Sequence, residues 1–203
     1  MLKKLVVVFI LLITNKFVHA QIDTTFIKQV IKTQSDSMFA AFKRQDWETF
    51  SNYMHPDIIK LVKGKAAFID LLNDEMGNLK SLQLTQLIQV GNIQVVKVNK
   101  TMQCVVQYGL GMLMDSSLIS GVSSSIGEST DNGQTWKFVR NTAKNFDELK
   151  TLLPWVSYSL KIPKEEQKFG ISLDDFLKTY NRIYLAGPKK GIALKRKYSI
   201  KKT

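Results

Sequence analysis

The chain predicts an α+β domain: three N-terminal helices packed on a curved antiparallel sheet, followed by a C-terminal helical appendage. Three observations carry this. Apolar residues recur at helical spacing between Phe26 and Phe42. Alternate positions from Met102 to Met114 (Met102, Cys104, Val106, Tyr108, Leu110, Met112, Met114) are apolar and would share one face of a strand. Finally, Asp131-Asn132-Gly133 separates two further strand-like runs. Its Asp and Asn oxygens can bond nearby backbone N–H groups, and its Gly accepts positive φ without a steric cost.

The first 20 residues read as a secretory leader. Lys3 and Lys4 precede the apolar run Leu5–Ile13, and Val18-His19-Ala20 places small residues at the −3 and −1 positions, so cleavage is expected between Ala20 and Gln21. The run is too short to span a bilayer. Cleavage removes Lys3, Lys4 and Lys16 and lowers the net charge from +12 to +9. The expected address is outside the cytoplasm, either periplasmic or secreted. The single cysteine, Cys104, allows no internal disulfide and falls on the apolar strand face, where it reads as a small buried hydrophobe.

Residues 21–163 form the expected domain. Asp23 can cap a helix reaching about Lys43, and Asp46 a short one, Trp47–Met54, stopped at His55-Pro56 because the residue before proline avoids the α region. Asp57–Lys63, with Ile58, Ile59, Leu61 and Val62, is a short strand candidate. Lys65–Leu79 follows as a third helix with Ala67, Phe68, Leu71, Leu72 and Met76 on one side. Leu82–Val90 and Ile93–Val98 alternate as strands around Gly91-Asn92, a hairpin or a bulge in one long strand. Met102–Met114, Leu118–Glu128 and Thr135–Arg140 complete a meander, the last with Trp136 and Phe138 on one face. Asn145 caps a short helix, Phe146–Leu153, and an irregular segment to Pro163 folds back on the core. In 164–187, Ser172 caps a helix lined by Leu173, Phe176, Leu177, Tyr180 and Ile183. Residues 188–203 hold seven basic residues and no acid. That composition suits a disordered tail or an electrostatic grip on an anionic surface.

The run Ser129-Thr130-Asp131-Asn132-Gly133-Gln134-Thr135-Trp136 resembles the Asp-box, Ser-x-Asp-x-Gly-x-Thr-Trp. The resemblance implies a turn tied to itself by Ser129, Asp131, Gly133 and Thr135, with Trp136 tucked beneath. Propellers carry several such boxes; this chain has one and no repeat of blade length, which excludes a propeller.

A second resemblance lies in Phe42-Lys-Arg-Gln-Asp46-Trp-Glu-Thr-Phe50, then Met54-His55-Pro56-Asp57, then Lys63-Gly64-Lys65. This opening is similar to that of the nuclear-transport-factor-2-like superfamily, which includes SnoaL-like and ketosteroid-isomerase-like proteins. The resemblance implies a cone whose concave sheet and first helices enclose an apolar ligand pocket, with Phe50, Met54, Tyr108 and Met112 as wall candidates. Catalytic members place a carboxylate or a His–Asp pair in that pocket, which points to His55, Asp57 and Tyr108 as an alternative catalytic set.

Two functions remain open. One is an exported, non-catalytic domain binding a small apolar ligand or a protein; the other is an isomerase or dehydratase using His55 and Asp57. No metal site follows from His55 and Cys104, so far apart in sequence, and no cofactor is implied, because no Gly-rich phosphate cradle or nucleophile elbow is present. Nucleic acid is not expected as a partner, since no aromatic platform accompanies the basic charge. A homodimer burying the sheet is a third possibility.

Overall fold

The computed structural model describes residues 24–78, 82–114, 116–143 and 145–180. The leader, its cleavage point and the basic tail lie outside these residues. Helix α1 (Thr24–Lys43) leads to α2 (Trp47–Ser51), α3 (Pro56–Leu61) and α4 (Lys65–Asn78). Strands β1 (Leu82–Val98), β2 (Thr101–Met114), β3 (Ser117–Ser129) and β4 (Lys137–Arg140) follow. The chain continues through α5 (Phe146–Leu152), β5 (Glu166–Phe169) and α6 (Leu173–Tyr180). Helices and an antiparallel sheet make this an α+β protein, with four helices rather than three before the sheet among the described residues.

The fourth helix is a correction. Residues 57–63, read as a strand from their apolar run, belong largely to α3. Pro56 sits in its first turn, where the missing N–H has no helical partner to lose. The His55 side chain caps it by accepting the Asp57 N–H at 3.2 Å. Leu61 is 77% exposed, so the run does not serve as a buried strand. The preceding helix also stops early, at Ser51 rather than Met54. Residues 53–55 instead pair with β4: Phe138 N–H donates to Tyr53 O at 2.7 Å and His55 N–H to Phe138 O at 2.9 Å. Backbone pairing with a strand wins there over one more helical turn.

Strands β1 to β4 form a meander in sequence order, and β5 pairs with β3 beyond the end of β4. Gly91-Asn92 lies in a bulge: β1 runs through it with a register shift between Val90 and Gln94, and Gly91 takes φ +67°. The register sorts the side chains. Met102, Cys104 and Val106 on β2 pack with Ile27, Ile31 and Met38 of α1 and with Trp136 and Phe138. Val105, Ile126 and Val139 lie on the opposite face under Leu149, Leu153, Val156 and Leu160. Further along that face, Val122 meets Leu173, Phe176 and Leu177 of α6. With both faces covered, β2 is buried without interruption from Met102 to Gly109. Even Gln103 is enclosed, its amide donating to Trp155 O at 2.8 Å and accepting Ser157 N–H at 2.8 Å.

β5 is not predicted by the sequence pattern. Glu166–Phe169 pair with Ile119–Val122, and Gly170 N–H donates to Leu118 O. Ser172 then caps α6 as expected, accepting Asp175 N–H at 3.2 Å while its hydroxyl donates to the Asp175 carboxylate at 2.9 Å. Tyr180 ends α6, and Ile183 with the Gly187-Pro188 stop lies outside the described residues.

Candidate functional site

The Asp-box-like turn is satisfied by its own side chains. Asp131 Oδ1 accepts the N–H groups of Gln134 at 3.1 Å and Thr135 at 2.9 Å, and Oδ2 accepts the Thr135 hydroxyl at 2.6 Å. Ser129 Oγ donates to Asp131 Oδ1 at 2.8 Å and accepts Gly133 N–H at 2.9 Å. Asn132 and Gly133 take φ of 59° and 89°, the left-handed region such a turn demands. The Trp136 indole N–H donates to Gly133 O at 3.0 Å. Desolvation pushes the Asp131 carboxyl upward, but the donors from Thr135, Ser129 and Gln134 outweigh it and hold its pKa down at about 2. α1 grips the same turn through Gln34, whose amide donates to Gln134 O at 2.7 Å and accepts Trp136 N–H at 2.9 Å. Ser129, Asp131, Gly133, Thr135 and Trp136 each have a structural task in the turn.

His55 is placed away from Tyr108. Its Nδ1 accepts the Asp57 N–H, which leaves the proton on Nε2, 3.1 Å from Glu128 Oε2. The Asp57 carboxylate is 3.6 Å from Nδ1. His55 is 5% exposed, and its imidazole stacks on Trp155 with 4.4 Å between ring centres. Both nitrogens are occupied in capping α3 and in tying the β4 edge to β3. Glu128 and Trp155, which lie 73 and 100 positions away, could not be found by local spacing.

Tyr108 belongs to a cavity of about 130 Å³ between α1, α2 and the sheet. Met38, Phe39, Phe42, Phe50, Met54 and Leu87 form its apolar side; Tyr108, Leu110, Ser125 and Arg140 project from β2, β3 and β4. Three expected wall residues, Phe50, Met54 and Tyr108, therefore meet here. Met112 does not line it: it shares the strand face but sits two residues beyond Leu110, roughly 7 Å along the strand. Arg140 was legible in principle, because it continues the inward alternation of Trp136 and Phe138. Ser125 was not, since its place depends on the β3–β4 register.

Arg140 donates through Nε to Ser123 Oγ at 3.4 Å, and the Ser123 hydroxyl is also bonded to the Glu165 carboxylate. Ser123, Arg140, Glu165 and Glu166 line a polar cleft of about 160 Å³ that shares Leu110 and Arg140 with the apolar cavity. A larger groove of about 510 Å³ runs between α5 and residues 162–165. Three of its polar residues are already engaged, with Asn145 capping α5, Asn141 Oδ1 accepting Ala143 N–H, and Glu165 held by Ser123.

Cys104 is enclosed, and burial pushes its thiol far above the ordinary range, opposed only in part by the Gly127 backbone. It has no nucleophilic character. Among the described residues no group of three or more His, Cys, Asp or Glu side chains could hold a metal ion, and no helix is long and apolar enough to cross a membrane. No protein-family model matches the chain, and no curated protein matches it significantly.

Proposed function

We propose that this chain is an exported, non-catalytic binding domain of the nuclear-transport-factor-2-like kind, whose cavity holds a small apolar ligand. One observation carries the reading. An aromatic and aliphatic wall from α1, α2 and β1 faces three polar residues of the sheet across about 130 Å³ of free volume. A few polar groups converging on an apolar hollow is the usual composition of a ligand site. The cone shape is part of the proposal, supported by helices that precede the sheet and cover the face bearing Tyr108. The export address rests on the leader at Met1–Ala20, and contact with an anionic surface on the basic tail. A homodimer through the sheet is a further proposal.

The isomerase or dehydratase alternative needs His55 and Asp57 beside Tyr108 in one cavity. His55 instead spends both nitrogens on Asp57 and Glu128 and stacks on Trp155, and neither it nor Asp57 lines the cavity. A base held this way has no free lone pair to offer a substrate.

The test is an amide and methyl NMR titration with benzyl alcohol. Shifts are expected to cluster at Met38, Phe50, Leu87 and Tyr108, and to vanish in a folded Leu110→Trp variant that fills the space. Shifts scattered over the surface would refute the cavity as a binding site.

A further inference from the structure

We infer that the cavity's occupant is a small monocarboxylate with a ring-sized apolar body, its carboxylate held by Arg140 and the hydroxyls of Tyr108 and Ser125. This inference rests on the cavity reading above and adds the ligand's chemistry. Tyr108 and Ser125 are only 5% and 3% exposed, both line the cavity, and neither hydroxyl is hydrogen-bonded among the described residues. Neither oxygen is both fully enclosed and unpartnered, so each can reach a partner in the space beside it. The space they line is the place for that partner.

The register makes them one cluster. Ser125 lies directly across from Arg140, and Tyr108 directly across from Ser123, so all four share the face toward α1. Among the described residues Arg140 makes no ion pair, and its bond to Ser123 uses Nε, leaving the two terminal nitrogens of the fork available. Three convergent donors, one of them a permanent cation, suit an anion, and a planar guanidinium matches a carboxylate in two-point contact.

Volume and charge narrow the class. A cavity of about 130 Å³ is close to the roughly 150 Å³ that accommodates one benzene ring, so the apolar part is about that size. Glu165 and Glu166 line the adjoining cleft, and a second negative charge extending there would be repelled. A dicarboxylate is therefore disfavoured.

Phenylacetate and its neutral amide, phenylacetamide, separate the claims. NMR titration of the wild-type protein should give phenylacetate an affinity at least about tenfold higher, a difference typical of one charge-assisted contact. Arg140→Gln should reduce that ratio to about one by weakening binding of the acid; Arg140 is an exposed residue at the end of β4, and near-ultraviolet circular dichroism confirms the fold. Tyr108→Phe, which leaves the charge in place, should weaken phenylacetate severalfold and serves if Arg140→Gln misfolds. Equal binding of acid and amide, or an acid preference that survives Arg140→Gln, overturns the carboxylate inference and leaves the cavity reading standing. Failure of both compounds to bind at millimolar concentration overturns both.

Discussion

At the scale of single residues, the Asp131 carboxylate holds four donors on its two oxygens, and that makes the turn sensitive to acid. Its folded pKa of about 2 lies below the ordinary carboxyl value of 3.8. A carboxyl whose pKa falls on folding adds stability that is fully present above the unfolded value and is lost as pH drops through the folded one. The gap in urea midpoint between wild type and Asp131→Asn should therefore stay constant from pH 7 to 5 and narrow as pH falls toward 2. A gap that persists unchanged to pH 2 contradicts the assignment. Trp136 is 1% exposed and joins the turn to the α1 core. Trp136→Ala should cost about 3–5 kcal/mol in equilibrium unfolding, and a loss under about 1 would remove its anchoring role.

At the scale of elements, the sheet constrains its residues through close approach. A β-carbon on Gly127 would stand 2.6 Å from Cys104 Sγ and 2.9 Å from Phe138 Cε1, so neighbouring strands must move to admit one. Gly127→Ala is expected to destabilise by about 1–3 kcal/mol, and by less in a Cys104→Ala background, where part of the clash is gone. Equal costs in both backgrounds would locate the strain elsewhere. This crowding also explains what the sequence could reveal. β2 was legible because alternation over Met102–Val106 meets a helix on one face, and the turn because every tie from Ser129 to Trp136 is local. α3 was hidden since Ile58, Ile59, Leu61 and Val62 look like a strand, while the His55 cap and Pro56 decide for helix. β5 was hidden for the opposite reason: Glu-Gln-Lys-Phe carries no buried stripe and is held by backbone bonds to β3. The cavity was half legible. Phe50, Met54 and Tyr108 follow from the opening resemblance, but Ser125 and Arg140 meet them only through strand register.

At the scale of the molecule, the C-terminal part divides into a segment built into the sheet and one defined here only by its charge. β5 extends β3, and α6 buries Leu173, Phe176 and Leu177 over Val122; Gly109 lets it approach, since a β-carbon there would lie 3.4 Å from Leu173 and Leu177. Burying three such side chains is worth about 1.5–3 kcal/mol each before the ordering cost is subtracted. The basic residues of 188–203 make no comparable claim, as they are seven charges with no acid among them. Ending the chain after Gly187 should leave the melting temperature within about 2 °C of full length while abolishing salt-sensitive retention on anionic vesicles. Ending it after Pro163 should lower melting by roughly 10 °C or more, since several kcal/mol of burial is withdrawn from β2 and β3. If both truncated forms melt with the full chain, α6 contributes nothing to the fold; if vesicle retention survives loss of the tail, the anionic contact belongs to another surface.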